Sequence, residues 1–169
     1  MTRFAARFAV LLIAMFAIEL TPLGQTWLVD PFTQGVARLS AATVQLFDGG
    51  VHAFGNILQD RDNGFAVAIE AGCNGVEAAI VLTAAMFAFP SSWRMKAIGI
   101  AAGLFAAQSL NVLRIISLFY LGQWNRPLFE LAHLYVWQSL IILDVLVVFL
   151  VWLRYLDRGP ASDHAAPSH

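Results

Sequence analysis

The sequence predicts a mainly α, polytopic membrane protein with four transmembrane helices. A small outward-facing helix plus β-hairpin is inserted between the first and second spans. Three observations predict this class. The 169-residue chain is 59% hydrophobic and only 12% charged, against about 25% charge in ordinary soluble domains. Its mean hydropathy is +0.70. Its apolar residues also fall into runs that approach the roughly 20 residues needed to cross a bilayer. The net charge of −1 gives no reason to expect a nucleic-acid partner; the expected surroundings are membrane lipid. The single cysteine excludes an internal disulfide and a Cys-cluster zinc site. His52, His133, His164 and His169 are scattered without ligand spacing, so no metal or cofactor is expected.

The first span covers about residues 4–24 and contains FAVLLIAMFAI. Its apolar core is long and TPLGQTW is a poor cleavage site, so it reads as an uncleaved anchor rather than a signal peptide. The outer segment follows, about 25–72. FTQGVARLSAATVQLF (32–47) has helical spacing, with Val36, Leu39, Val44 and Phe47 apolar. VHAFGNILQ and GFAVAIEAG, joined by DRDN, read as a β-hairpin. The second span is about 74–91, the third about 97–121, and the short outer loop GQWNRP (122–127) leads to the fourth, about 131–153. Residues 1–158 therefore form one integral membrane domain. The tail 159–169, rich in small polar residues, is expected to be flexible and cytoplasmic.

Orientation follows from the basic residues. Arg3, Arg7, Arg94, Lys96, Arg154 and Arg158 gather at one set of span ends. Arg38, Arg61 and Arg126 are spread over much more chain at the other. The first set marks the cytoplasmic side. Both termini then face the cytoplasm, and the outer segment faces out.

This arrangement brings one polar group from each of three consecutive spans to the same outer level. Cys73 opens the second span in a nick formed by Gly72 and Asn74-Gly75, where a helix N-terminus favours the thiolate. Arg114 lies about 10 Å below the outer end of the third span, with Asn111 on the same face at i, i+3. His133 starts the fourth span, with Trp137 at i+4. A thiol beside an imidazole is a nucleophile with an acid–base partner, and a guanidinium suits the oxyanion formed when a thiolate attacks a carbonyl. The chemistry predicted is acyl transfer at the outer membrane surface. Asn111 is expected to hold or assist Arg114, and Glu77, one turn below Cys73, to support it.

Each residue also has a structural reading. A lone membrane cysteine is commonly inert packing, His133 suits an interface, and Arg114 could pair with Glu77. Asp144 is too far along its helix to orient His133, and an Asp144–Gln108 contact is plausible. Glu19 is a candidate to line the same cavity, and His52 and Glu70 are further candidates. Trp93, Trp124 and Trp152 suit an interfacial belt. The alternative function is a non-enzymatic membrane scaffold or small transporter component, in which the buried charges are structural pairs. A thiol-dependent lipid acyltransferase is a second rival.

The motifs EAGCNGVEA, SLNVLRI and the histidine of ELAHLYVWQ resemble those of the exosortase/archaeosortase family, in order, over about residues 45–155. By motif and size the chain is most similar to exosortase H. The resemblance implies a cysteine transpeptidase or protease, multi-pass in the inner membrane of Gram-negative bacteria, with its active site at the periplasmic face. It implies catalytic roles for Cys73, Arg114 and His133. It also implies partners: exported proteins carrying a C-terminal sorting signal of short motif, transmembrane helix and basic cluster. Larger family members have additional N-terminal spans where this chain has one.

Overall fold

The computed structural model describes residues 2–157; the tail expected to be flexible lies outside the described residues. Five helices carry the architecture. α1 is Thr2–Glu19 and α2 is Pro22–Val44. α3 is Val76–Ala88, α4 is Trp93–Trp124 and α5 is Arg126–Leu156. α2 and α5 each contain a π-helical turn, at Gln25–Val29 and Ala132–Val136. Three strands, β1 (Val51–Phe54), β2 (Ile57–Asp60) and β3 (Ala66–Ala68), form an antiparallel sheet in the order β1-β2-β3.

The chain is a helical membrane protein. α4 and α5 are each long and apolar enough to cross a bilayer, and α1 with α2 makes a further apolar pair bent by 73°. The bend has a local cause. Pro22 pushes Thr21 out of helical geometry, to φ −72° and ψ 150°. The Thr21 hydroxyl then accepts from the Gly24 N–H at 2.9 Å, capping α2. α3 has only 13 residues, about 20 Å of helix, which is shorter than the span expected at 74–91.

Two further boundaries differ from expectation. The loop anticipated at 122–127 is mostly helix. α4 runs to Trp124, and Asn125 alone breaks the path, its side chain accepting from the Leu128 N–H at 3.1 Å to cap α5. The expected hairpin is a three-stranded meander, because VHAFGNILQ folds back on itself. Phe54 pairs with Ile57 across Gly55-Asn56, and Gly55 takes φ +60°, as the first position of a two-residue turn requires. β2 then pairs with β3, with Leu58 opposite Val67. The turn after β2 is tied by Asp60, which accepts from the Asp62 N–H at 2.8 Å and from Asn63 Nδ2 at 2.7 Å.

The sheet does not stand apart from the helices. Val36, Ala37, Ala41 and Val44 of α2 share a core with Val51, Leu58 and Ile69 and with Ile115 and Phe119 of α4. A second apolar cluster joins Val76 and Ile80 of α3 to Val29 of α2 and to α1. A third, Leu82, Met86 and Trp152, ties α3 to α5 at the opposite end of the helices. There Phe89 meets Phe4 of α1 at 6.2 Å and Phe149 of α5 at 6.5 Å between ring centres. The start of α1 thus lies beside the end of α3, so the two helices run antiparallel. The turn carrying Cys73 is held between the outer core and the helices below it.

Candidate active site

The turn Ala71–Gly75 joins the last residues of the sheet to α3. Gly72 and Gly75 take φ +81° and +83°, a region that only glycine enters without strain. Asn74 fixes the turn from inside. Its Oδ1 accepts from the Val76 N–H at 3.0 Å, and its Nδ2 donates to Thr33 Oγ1 of α2 at 3.0 Å. Glu77 accepts from the Gly72 N–H at 2.6 Å. The chain is therefore held on both sides of Cys73.

The structure brings Cys73, Arg114 and His133 together. Cys73 Sγ lies 3.7 Å from His133 Nε2. Arg114 donates through Nη2 to Sγ at 3.4 Å and through Nη1 to the Gly72 carbonyl at 3.0 Å. Arg114 is 3% exposed, and its Nε–H has no partner. His133 sits in the π turn Ala132–Val136, packed against Phe129 at 5.6 Å between ring centres. π turns recur at functional sites because the extra residue re-aims a side chain. Here the turn moves the residue below His133 away from the i+4 position, so the expected stacking of Trp137 beneath it is not set by α-helical spacing. Trp137 is half-buried.

Burial pushes the Cys73 thiol up, above the ordinary thiol range. The Arg114 guanidinium pulls it down, and the carboxylates of Glu77 and Glu70 add to the rise. Desolvation therefore outweighs the attraction of Arg114. Cys73 precedes the first helical residue by three positions, where the dipole acts weakly. A thiol that stays protonated needs a base beside it, and His133 is in that position.

Several expected pairings are not formed. Glu77 turns to the Gly72 N–H, and Arg114 to Gly72 and Cys73, so the two make no ion pair. Among the described residues the ion pair present is Arg126–Glu130, on the surface. Gln108 donates to the Gly75 carbonyl at 3.3 Å, and Asp144 Oδ2 has no partner, so these two do not meet. Asn111 makes no hydrogen bond to Arg114; both atoms of its amide are unpartnered and it is fully buried. Glu19 is buried at the end of α1 but is not among the residues lining the cavity described next. His52 of β1 bonds to the Gly50 carbonyl at 3.0 Å, and Glu70 is exposed before the turn.

A cavity of about 560 Å³ opens below the cysteine turn, between α1, α3 and α5. Gly72, Glu77, Asn111 and Arg114 line its head, and its walls are apolar. A second cavity, of about 360 Å³ and more polar, lies on the other side of the turn, lined by Thr33, Asn56, Glu70 and Asn74 among others. Thr33 and the Gly72 carbonyl give no sequence signal as site residues. Their roles depend on which helix passes behind the turn.

The family model of transmembrane exosortases matches residues 2–153. The chain belongs to the transmembrane exosortase family. It is thereby one of the membrane-embedded, sorting-related enzymes. No curated protein and no solved structure matches it. The matched region of this exosortase includes every element described above, from α1 to the body of α5. Its extent also covers the cysteine turn and both partner helices, so the site is not an addition at the edge of the family domain.

Proposed function

We propose that this exosortase is a cysteine transpeptidase or protease that cleaves exported proteins at a C-terminal sorting signal. Four segments span the inner membrane, with both termini in the cytoplasm and the cysteine turn at the periplasmic face. Residues 1–158 act as one catalytic domain. The substrate's membrane helix enters from the lipid and docks beside α3, α4 and α5. The segment just outside that helix lies extended near β3, an edge strand of the sheet.

Chemistry begins when His133 takes the Cys73 proton and the sulfur attacks the scissile carbonyl carbon. The oxyanion that forms is held by Arg114, which has an unspent Nε–H beside its two bonded nitrogens. His133 then returns the proton to the leaving amine, the C–N bond breaks, and a thioester remains on Cys73. Water or an amine acceptor resolves it. Asn74 and Glu77 support the reaction by fixing the turn that carries the sulfur.

The observation that carries this reading is the convergence of three elements on one sulfur atom, at 3.4 and 3.7 Å. It favours an enzyme over a scaffold, because the Arg114–Glu77 pair that a scaffold would use is absent among the described residues. The test coexpresses an exported host protein bearing such a C-terminal signal with wild type, Cys73→Ala and Cys73→Ser. Both variants should accumulate normally, since a small truncation at a turn costs about 1 kcal/mol or less, yet leave the substrate uncleaved. Normal processing by Cys73→Ala would end the cysteine-enzyme reading.

A further inference from the structure

Asn111 is 0% exposed, lines the head of the large cavity, and has neither its amide donor nor its acceptor paired. Leaving both ends of a buried amide unpaired is destabilising, so something is expected to complete it. Asn111 precedes Arg114 by three residues on α4, which puts it about 4.5 Å deeper. It is thus placed on the membrane side of the reacting sulfur.

Below it the cavity is a groove. α3 packs on both α1 and α5, and its face Ala78, Val81 and Ala85 forms the floor. These residues recur at i, i+3 and i+7, and the two alanines among them are small enough to let another helix approach closely in lipid. One wall is the α5 stripe Ile141, Val145 and Phe149. From Gln138 to Phe149 that wall runs about 16 Å, roughly half the apolar thickness of a bilayer.

We propose that this groove seats the substrate's membrane helix and that Asn111 caps the helix's N-terminal end in trans. This rests on the proposed peptide-cleaving function. A helix beginning at that depth exposes N–H groups with no partner of their own, and Asn111 Oδ1 accepts one of them. Asn111 Nδ2 donates to a carbonyl of the extended residues just before the helix. An acyl chain would satisfy neither atom, which is why a peptide is favoured over a lipid as occupant. The cap sets the register of the helix against Cys73, and so selects which peptide bond is cleaved. Asparagine is among the best residues for the acceptor part of this task.

The probe is an epitope-tagged exported host protein ending in an extended segment, an apolar helix and a basic cluster. Photo-cross-linkers are placed at Val81, at Val145 and at Leu113, a lipid-facing position on α4 that is 56% exposed, in full-length protein carrying Cys73→Ala. Cross-links to the tagged protein from 81 and 145 but not from 113 are expected. Lipid adducts alone, or equal cross-linking from 113, would overturn the groove. With Cys73 intact, Asn111→Leu is expected to process the probe about tenfold more slowly at normal abundance, the scale of a lost helix cap. Its residual product should be cut at several neighbouring bonds. Asn111→Asp keeps the acceptor and should keep a single cleavage site. Wild-type rate and site in Asn111→Leu would overturn the cap. If Asn111→Leu does not accumulate, the site used by Asn111→Asp decides, and scattered cleavage there overturns the cap. Processing that persists in Cys73→Ala removes the parent reading instead. Loss of processing in Cys73→Ala with normal behaviour in Asn111→Leu removes the cap alone.

Discussion

Arg114 Nη2 lies 3.4 Å from the sulfur of Cys73, which is 41 residues earlier in the chain. The same guanidinium holds the carbonyl of the preceding residue, Gly72, at 3.0 Å. One side chain thus binds both the nucleophile and the backbone that carries it. Removing it should disturb position and charge together.

The pH dependence of Cys73 alkylation by iodoacetamide should show this. The thiolate is the reacting form, and burial, which disfavours it, dominates at Cys73. The midpoint should therefore lie above that of a free thiol, with the rate still climbing as pH rises past the ordinary range. Arg114→Gln removes the one lowering influence and should move the midpoint further up. Glu77→Gln removes a carboxylate that raises it and should move the midpoint down. A midpoint below the free-thiol value in the wild type would contradict this balance.

Glu77 should prove a positioning residue. It accepts from the Gly72 N–H at 2.6 Å, and an amide oxygen can do the same. Glu77→Gln should therefore retain partial processing, while Arg114→Ala abolishes it. Complete loss in a normally abundant Glu77→Gln protein, with no thioester formed, would assign Glu77 a proton-transfer role.

Gly75→Ala should destabilise the fold by about 1–3 kcal/mol, because a non-glycine residue is strained at φ +83°. An added Cβ would also lie 2.6 Å from Gln108 Nε2 and 3.1 Å from Asn111 Nδ2. Gly64→Ala is the control, since it shares the positive φ, +77°, but has open space around it. Thermal melting in detergent should show the larger loss for Gly75→Ala. Equal losses would mean that Gln108 and Asn111 give way freely.

Orientation can be read by labelling single-cysteine variants in a Cys73→Ala background. An impermeant thiol reagent should label Asp62→Cys, in the exposed turn after β2, in intact cells. Arg94→Cys, at the start of α4, should be labelled only after the membrane is opened. The reverse pattern would place the cysteine turn on the cytoplasmic side.

The membrane class and the order of the reactive groups are legible in composition and chain order. A cysteine before one helix, an arginine inside the next and a histidine at the head of the last must approach one level when successive helices reverse direction. That argument needs only chain order and helix rise, which are one-dimensional. The apolar runs likewise located α4 and the body of α5, though their ends moved. The helices run on past the apolar stretch, and the caps at Ser92 and Asn125 lie in polar sequence beyond it. The strand split at Gly55-Asn56 was legible in turn chemistry, but the longer polar run DRDN masked it.

The pairings depend on how the helices cross. Glu77 and Arg114 carry opposite charges at similar depth, yet both turn to Gly72, because its N–H and carbonyl are closer than either charge is to the other. Asn111 shares a face with Arg114, but its amide lies under Gly75, where no donor or acceptor meets it. The groove is equally absent from any single helix. Its floor, walls and head come from four helices, and their crossing, not their composition, leaves the space between them.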